Sequence, residues 1–175
     1  MNMKKTLFMI LMVLATAWSA SSQVRIPHTR VSFQFPQGGW KYQNTFKIDN
    51  NTNVYLYVYT ASTVTDNSGD TILPFVRIYV KKEVKEDIYS IAYNRFVQQP
   101  FQSLDEYTEG IPQPGLGYVG AYTSITDNKD YQFRMIYFKD GNTALEFRAE
   151  TTRDTFSAFD ELFDEILKTV KVSKK

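Results

Sequence analysis

The sequence has no cysteine and a single histidine, His28, among its 175 residues. Without cysteine no disulfide can form, and with only one histidine a structural zinc site lacks its usual ligands. His28 lies outside any patterned segment and no G-x-S-x-G motif accompanies it, so Ser–His–Asp or Cys–His catalysis has no support. Stability must therefore come from an apolar core, and we expect neither a metal nor a cofactor.

The sequence also lacks an excess of charge of either sign. It contains 20 Lys and Arg against 19 Asp and Glu, and the first 22 residues hold two of the lysines and no acid. This balance gives no basic surface for nucleic acid and no polybasic membrane signal. We therefore expect neither a nucleic acid nor a membrane surface as a partner.

The first 22 residues have the order of a secretory signal peptide. Two lysines precede the apolar run TLFMILMVLATA, and small residues follow, so that Ala20 and Ser22 predict cleavage before Gln23, with an earlier site ending at Ala17. An uncleaved anchor is disfavoured because the run is well short of ~20 residues, and a lipoprotein would need a cysteine. The prediction is one domain, residues 23–175, in the periplasm or outside the cell, with no transmembrane anchor after cleavage.

Alternating hydrophobicity predicts strands in the first half of this domain. The segments VSFQF, VYLYVYTAST and ILPFVRIYVKKEV are strand-like, and Pro74 in the last of them favours an edge or a bulge. DNSGD joins the last two as a turn. Its Asp66, Ser68 and Asp70 have the spacing of calcium ligands, but Thr71 stands where an EF-hand loop needs glycine, so we predict a hairpin loop.

The second half contains two helical patterns around three strands. KEDIYSIAYNRFVQQP has a helical period, with Glu86 and Asp87 predicted in its first turn, and RDTFSAFDELFDEILKTV is strongly amphipathic, with Asp154 as its predicted N-cap. YVGAYTSIT, YQFRMIYF and ALEFRAETT predict an antiparallel meander between them. The pattern indicates an α+β fold, an α/β/α sandwich whose largely antiparallel sheet is covered on both faces.

Tyrosines on two strands are the first candidates for partner binding. Tyr55, Tyr57 and Tyr59 share one face of their strand, and Tyr118 and Tyr122 share a face of another. Exposed tyrosines are typical of protein interfaces. The alternative, which the two-sided sheet favours, is that they pack beneath a helix with their hydroxyls at the rim.

The segment GIPQPGLG, residues 110–117, predicts a loop that combines rigid prolines with permissive glycines. Loops on a rigid scaffold often carry function. Its apolar residues Ile111 and Leu116 are therefore candidate partner contacts. A purely structural crossover explains the segment equally well.

An acidic group just before this loop leaves an enzymatic alternative open. Asp105, Glu106 and Glu109 lie close together in the sequence. A hydrolase acting on carbohydrate or cell-envelope substrate would need two such carboxyl groups facing each other across a cleft. Turn or surface positions explain these residues without any catalysis.

The domain opens with an F-x-F-P-x-G-x-W motif, in which Trp40 is expected to cap one end of the core, formed by Phe33, Phe35, Pro36, Gly38 and Trp40. A central helix, three antiparallel strands and a final helix closing with LKTVKV follow. Together these features resemble the PsbP-like fold, which includes the photosystem II extrinsic subunit, a Ran guanine-nucleotide release factor and DcrB-type exported bacterial proteins. The resemblance implies a non-enzymatic module that docks on a protein partner, and it transfers no functional residue.

The expected function is accordingly that of an exported binding or assembly accessory protein of the cell envelope. The alternatives are the hydrolase and a structural envelope component without a small ligand.

Overall fold

The computed structural model describes residues 23–99 and 101–174, so the predicted signal peptide lies outside the described residues. Within them the elements, in chain order, are β1 (Gln23–Arg25), β2 (Val31–Gln34), β3 (Trp40–Lys47), β4 (Thr52–Tyr59), β5 (Val64–Thr65), β6 (Thr71–Ile72), β7 (Phe75–Lys81), α1 (Ile88–Gln98), β8 (Ser103–Tyr107), β9 (Gly115–Thr123), β10 (Asp130–Asp140), β11 (Thr143–Thr152), a 3-10 helix (Phe156–Ala158), α2 (Asp160–Lys168) and β12 (Lys171–Val172).

A seven-stranded antiparallel sheet in the order β3-β4-β7-β11-β10-β9-β8 organises the described part of the chain. β1, β2 and β12 form a small second sheet, and β5 and β6 form the hairpin predicted at DNSGD. Strands β9, β10 and β11 are the predicted meander. The predicted α+β sandwich with a largely antiparallel sheet is confirmed.

The main core lies on the face of the large sheet that α2 and β2 cover. Phe163 and Ile166 of α2 are fully buried there. Phe33 of β2 meets Phe147 of β11 edge to face, with ring centroids 5.3 Å apart. Trp40 is half-buried and stacks on Phe35 at a centroid distance of 4.8 Å, so it packs against this core as predicted.

Helix α1 lies on the opposite face and packs chiefly against β9 and β10. Only Ile88 and Ala92 of this helix are buried. The β3 side of the same face stays open, because Phe46 and Ile48 are 42% and 58% exposed. The second layer of the sandwich therefore covers the sheet only in part and leaves a cleft beside α1.

The two helices begin at other residues than the sequence predicts. α1 begins at Ile88, so Asp87 is its N-cap and accepts a hydrogen bond from the Ser90 N–H at 3.0 Å. The final helix does not begin after Asp154, whose carboxylate accepts from the Asn67 N–H instead. A 3-10 turn intervenes because Phe156 and Phe159, three residues apart, both bury their rings, and residues at that spacing point the same way in a 3-10 helix.

Pro74 directly precedes β7 and lies outside its ladder, so the missing N–H costs no strand hydrogen bond. None of the helices in residues 23–99 and 101–174 is long and apolar enough to cross a membrane.

The N-cap of α1 gives a direct test of how this helix is held. We expect Asp87→Ala to lower the free energy of unfolding by about 1 kcal/mol, because it removes the acceptor for the Ser90 N–H. Urea denaturation measures the change, with Lys85→Ala as the matched exposed control. An Asp87→Ala protein as stable as the control variant would contradict the assignment.

Candidate functional site

Three arginines and two glutamates meet on the α1 face of the large sheet, and we call them the ionic cluster. Glu146, Arg148 and Glu150 alternate along β11 and therefore point to one face. Arg77 joins them from the neighbouring strand β7, and Arg95 reaches down from α1. The cluster thus ties the second layer of the fold to the centre of the sheet.

Arg148 lies at the centre of the ionic cluster and is fully buried. Its Nη2 lies 2.6 Å from Glu146 Oε1, and both terminal nitrogens donate to Gln99 Oε1 at 3.3 Å. Its guanidinium also lies over the Phe133 ring, 5.1 Å from the centroid. A buried charge needs such partners, because desolvation alone costs several kcal/mol per ion.

Glu146 is the acceptor that joins the helix to the strand. One of its carboxylate oxygens accepts from Arg95 Nε at 3.1 Å and from the Tyr137 hydroxyl at 2.8 Å. Burial raises the pKa of this carboxyl, but the charges of Arg148 and Arg95 and the Tyr137 hydrogen bond lower it further. The net pKa lies below the usual glutamate value, so Glu146 is ionised at neutral pH.

Arg77 and Glu150 of the ionic cluster are joined to each other and to the hydroxyl of Tyr122. Arg77 Nε donates to Glu150 Oε1 at 2.6 Å, and its Nη2 donates to the Tyr122 hydroxyl at 2.8 Å. That hydroxyl donates to Glu150 Oε2 at 2.6 Å. Burial and the charge of Glu150 raise the pKa of Tyr122, so the phenol keeps the proton that it donates.

A cleft of about 200 Å³ opens beside the ionic cluster, between α1 and the sheet. Tyr79, Tyr137 and Glu146 line its floor, and Ile91 and Arg95 line the wall formed by α1. The turn between β3 and β4 forms the opposite rim. The cleft therefore combines apolar walls with a few charged groups, which is the composition typical of small-ligand sites.

The structure places the predicted tyrosines inside the molecule. Tyr55, Tyr57 and Tyr59 are 8–9% exposed, and their side chains pack in the main core. This is the alternative that a sheet covered on both faces favours. Tyr122 is hydrogen-bonded to Arg77 and Glu150 of the ionic cluster, and Tyr118 is half-buried beside α1. Little of this tyrosine surface is open to a partner.

Ile111 and Leu116 do not lie on an exposed loop. Leu116 is a residue of β9 and is 5% exposed, and Ile111 is 9% exposed and packs in the main core. A Cβ at Gly117 would come within 2.4 Å of Ile111 Cδ1, so this glycine lets the Ile111 side chain pack against the strand. The predicted loop is correspondingly shorter, because residues 115–117 belong to β9.

The acidic group near β8 does not form a paired site. Asp105 and Glu106 are consecutive strand residues, so their exposed side chains point to opposite faces. Glu109 is exposed and lies 3.8 Å from Lys168. This geometry gives the hydrolase alternative no pair of facing carboxyl groups at that place. Across the described residues, no group of three or more His, Asp or Glu side chains is arranged to hold a metal ion.

Sequence reasoning missed the ionic cluster, although a signal was available. The segment EFRAE in β11 alternates charged with apolar side chains. A sheet covered on both faces must also bury the charged positions of its central strands. Together these two features indicate buried charges on β11, although not which residues pair with them.

Comparison of the sequence with protein-family models gave no match, and comparison with curated proteins gave none. Among solved structures, LpqN, involved in cell envelope biogenesis of Mycobacterium tuberculosis, is similar with a TM-score of 0.52 and 12% identity over 89% of this chain and 86% of its own. A protein of Bacteroides thetaiotaomicron VPI-5482 has a TM-score of 0.52 and 14% identity over 89% of this chain, which spans 49% of that protein. Cyanobacterial PsbP from Synechocystis sp. PCC 6803 gives a TM-score of 0.49 and 12% identity over 88% of this chain and 94% of its own.

Likeness at these identities shows the fold alone. The similarity to LpqN, together with the observed order of strands and helices, confirms the predicted fold.

The lowered pKa of Glu146 predicts a specific dependence of the free energy of unfolding on pH. Because its pKa is lowered in the folded protein, the stability it contributes is present above the unfolded value of about 4.5 and is lost as the pH falls through the folded value. Glu146→Gln should therefore be less stable at pH 7, by about 3 kcal/mol. It should also lose less stability than wild type on acidification below that unfolded pKa.

Urea denaturation at a series of pH values measures this difference. The exposed Glu106→Gln is the matched control and should keep the wild-type profile. Parallel acid profiles for Glu146→Gln and wild type would show that the ion pair does not contribute in this way.

Because Leu116 is buried, shortening its side chain should lower the free energy of unfolding more than the same change at a surface residue. We expect Leu116→Ala to lower the free energy of unfolding by about 2–5 kcal/mol, because it leaves a cavity beneath α1. Ile125→Ala, at a fully exposed turn position, is the control and should stay within about 0.5 kcal/mol of wild type. Equal stability of the two variants, measured by thermal or urea unfolding, would contradict the burial of Leu116.

Proposed function

We propose that this chain is an exported, non-catalytic accessory protein of the cell envelope that binds another protein through the outer face of α1. The signal-peptide pattern of the first 22 residues supports export. The fold similarity to LpqN, a protein involved in cell envelope biogenesis, supports a role in the envelope.

The observation that carries the proposal is the composition of the exposed surface of α1. Tyr89, Tyr93 and Val97 lie at i, i+4 and i+8 and are 69%, 67% and 68% exposed. We call these three residues the α1 stripe. The single charged residue of the helix, Arg95, turns inward to Glu146. A surface helix ordinarily carries charged or polar groups on its outer face, so an uncharged aromatic stripe there indicates a contact surface.

The chemistry of the α1 stripe favours a protein over a membrane as the partner. Tyrosine is enriched in the cores of protein interfaces and among the residues that dominate binding energy. A helix that lies on a membrane surface carries Lys and Arg along its polar face, and α1 has no lysine and only the inward Arg95.

The ionic cluster supports a non-catalytic role. A general acid or base works best with a pKa close to the working pH. Here the pKa of Glu146 is lowered and the pKa of Tyr122 is raised, so both pKa values lie further from neutral pH than usual. The hydrogen-bond partners of Glu146 and Tyr122 are other side chains of the protein, which is the arrangement of a structural network.

Site-specific photo-crosslinking tests the docking surface. A photo-reactive residue at position 93 is expected to capture one discrete envelope protein, because Tyr93 is at the centre of the α1 stripe. The same residue at position 125, equally apolar and fully exposed on the turn between β9 and β10, is the control and should capture none. The outcome against the proposal is capture at both positions alike, or at neither.

A double variant, Tyr89→Ser with Tyr93→Ser, separates binding from folding. Both side chains are about two-thirds exposed, so the melting temperature should stay near that of wild type. The protein captured from position 97 of wild type should be lost in this variant. Retained capture would show that the tyrosines do not form the interface.

A further inference from the structure

The ionic cluster carries one positive charge more than its carboxylates balance. Within the described residues, the ion pairs of Arg77, Arg95 and Arg148 are all with Glu146 and Glu150. Glu146 is already engaged by two arginines and Tyr137, and Glu150 by Arg77 and Tyr122. An anion from solvent can act as a counter-ion to this excess charge where one of the arginines is open to the cleft.

Arg95 is the arginine placed to receive that counter-ion. Among the described residues its hydrogen bond is made by Nε to Glu146, and its Nη1 and Nη2 have no partner there. The side chain is 28% exposed and lines the cleft, with its guanidinium 5.1 Å from the Tyr79 ring centroid. The two terminal nitrogens of a guanidinium match the geometry of a carboxylate.

The other charged groups at the cleft lie at its rim and are held there. Asp49 accepts from the Asn51 N–H at 2.7 Å and from the Thr52 hydroxyl at 3.0 Å. Glu86 accepts from the Lys85 N–H at 3.1 Å. Lys81, at the end of β7, also lines the cleft, and its charge acts on both acids. Arg95 is the lining cation that contacts the floor, through Glu146 and the Tyr79 ring.

The rest of the cleft is small and, apart from Thr52, Asn94 and Gln98, apolar. Ile48, Val84 and Ile91 line it above the floor. Its volume of about 200 Å³ corresponds to roughly six or seven waters at about 30 Å³ each. That is smaller than the sites that hold drug-sized ligands, so the occupant must be short.

We propose that this cleft binds a small organic anion, a carboxylate on a short apolar chain, with the carboxylate on Nη1 and Nη2 of Arg95. The apolar chain lies against Ile48, Val84 and Ile91. A cationic ligand has no comparable place, because the guanidinium groups of Arg95 and Arg148 already face the Tyr79 ring and pair with Glu146. The site is distinct from the α1 stripe and does not depend on the proposed function.

Titration of the full-length protein with hexanoate, hexylamine and 1-hexanol tests the assignment, followed by calorimetry and by backbone amide shifts. Hexanoate is expected to bind at least tenfold more tightly than either of the other two, with the largest shifts in α1 and β11. Tighter binding of hexylamine, equal binding of all three, or no binding of hexanoate overturns the proposal.

Two variants assign the binding to the cleft. Arg95→Gln should weaken hexanoate binding at least tenfold, and Asn94→Trp should weaken it similarly by filling the cleft from an exposed position while leaving the ionic cluster intact. Arg134→Gln removes an arginine of similar exposure that pairs with Asp160 on the opposite face, and it should bind hexanoate as wild type does. Unchanged binding in Asn94→Trp, or an equal loss in Arg134→Gln, refutes the site even where Arg95→Gln is unstable.

Discussion

The burial of Arg148 in the central strand β11 is the constraint on which the α1 side of the molecule depends. A guanidinium with no exposed surface is tolerated only where ion pairs and hydrogen bonds replace its water. Glu146 supplies the charge, and Gln99, just beyond α1, supplies a further acceptor. Because Arg95 also binds Glu146, these polar contacts hold α1 on the sheet together with the apolar contacts of Ile88, Ala92 and Phe96.

The two helices are held on the sheet by different kinds of interaction. α2 buries Leu162, Phe163, Ile166 and Leu167, and its amphipathic pattern made it the clearest helix in the sequence. α1 buries only Ile88 and Ala92 and leaves its other apolar side chains partly or largely exposed. A helix fixed by an ionic network keeps its outer face available for another molecule.

The sequence predicted most of the strands, the meander and the main core because period-2 alternation reports burial directly. It missed the short strand β8, where Asp105 and Glu106 suggested a turn or surface group. It did not predict the ionic cluster, because that depends on strand register. Arg77 lies directly opposite Arg148 in the ladder between β7 and β11, a pairing of like charges that is unfavourable in isolation. Glu146 and Glu150 on either side of Arg148 offset it. Sequence patterns carry no such register information when a helix and three strands separate the paired strands.

The tyrosines show most clearly why the amino-acid composition alone did not locate the proposed contact surface on α1. The stripe at Tyr55, Tyr57 and Tyr59 has strand spacing and lies under a covered face, where the rings complete the core. Tyr89 and Tyr93 have helical spacing on an element with only two buried anchors, so the same side chain remains in solvent. Arg95 and Tyr93 lie on opposite sides of α1, so a ligand in the cleft and a protein on the α1 stripe would both contact this helix. Because α1 buries only Ile88 and Ala92, either one could change its position, and α1 therefore links the two proposed sites.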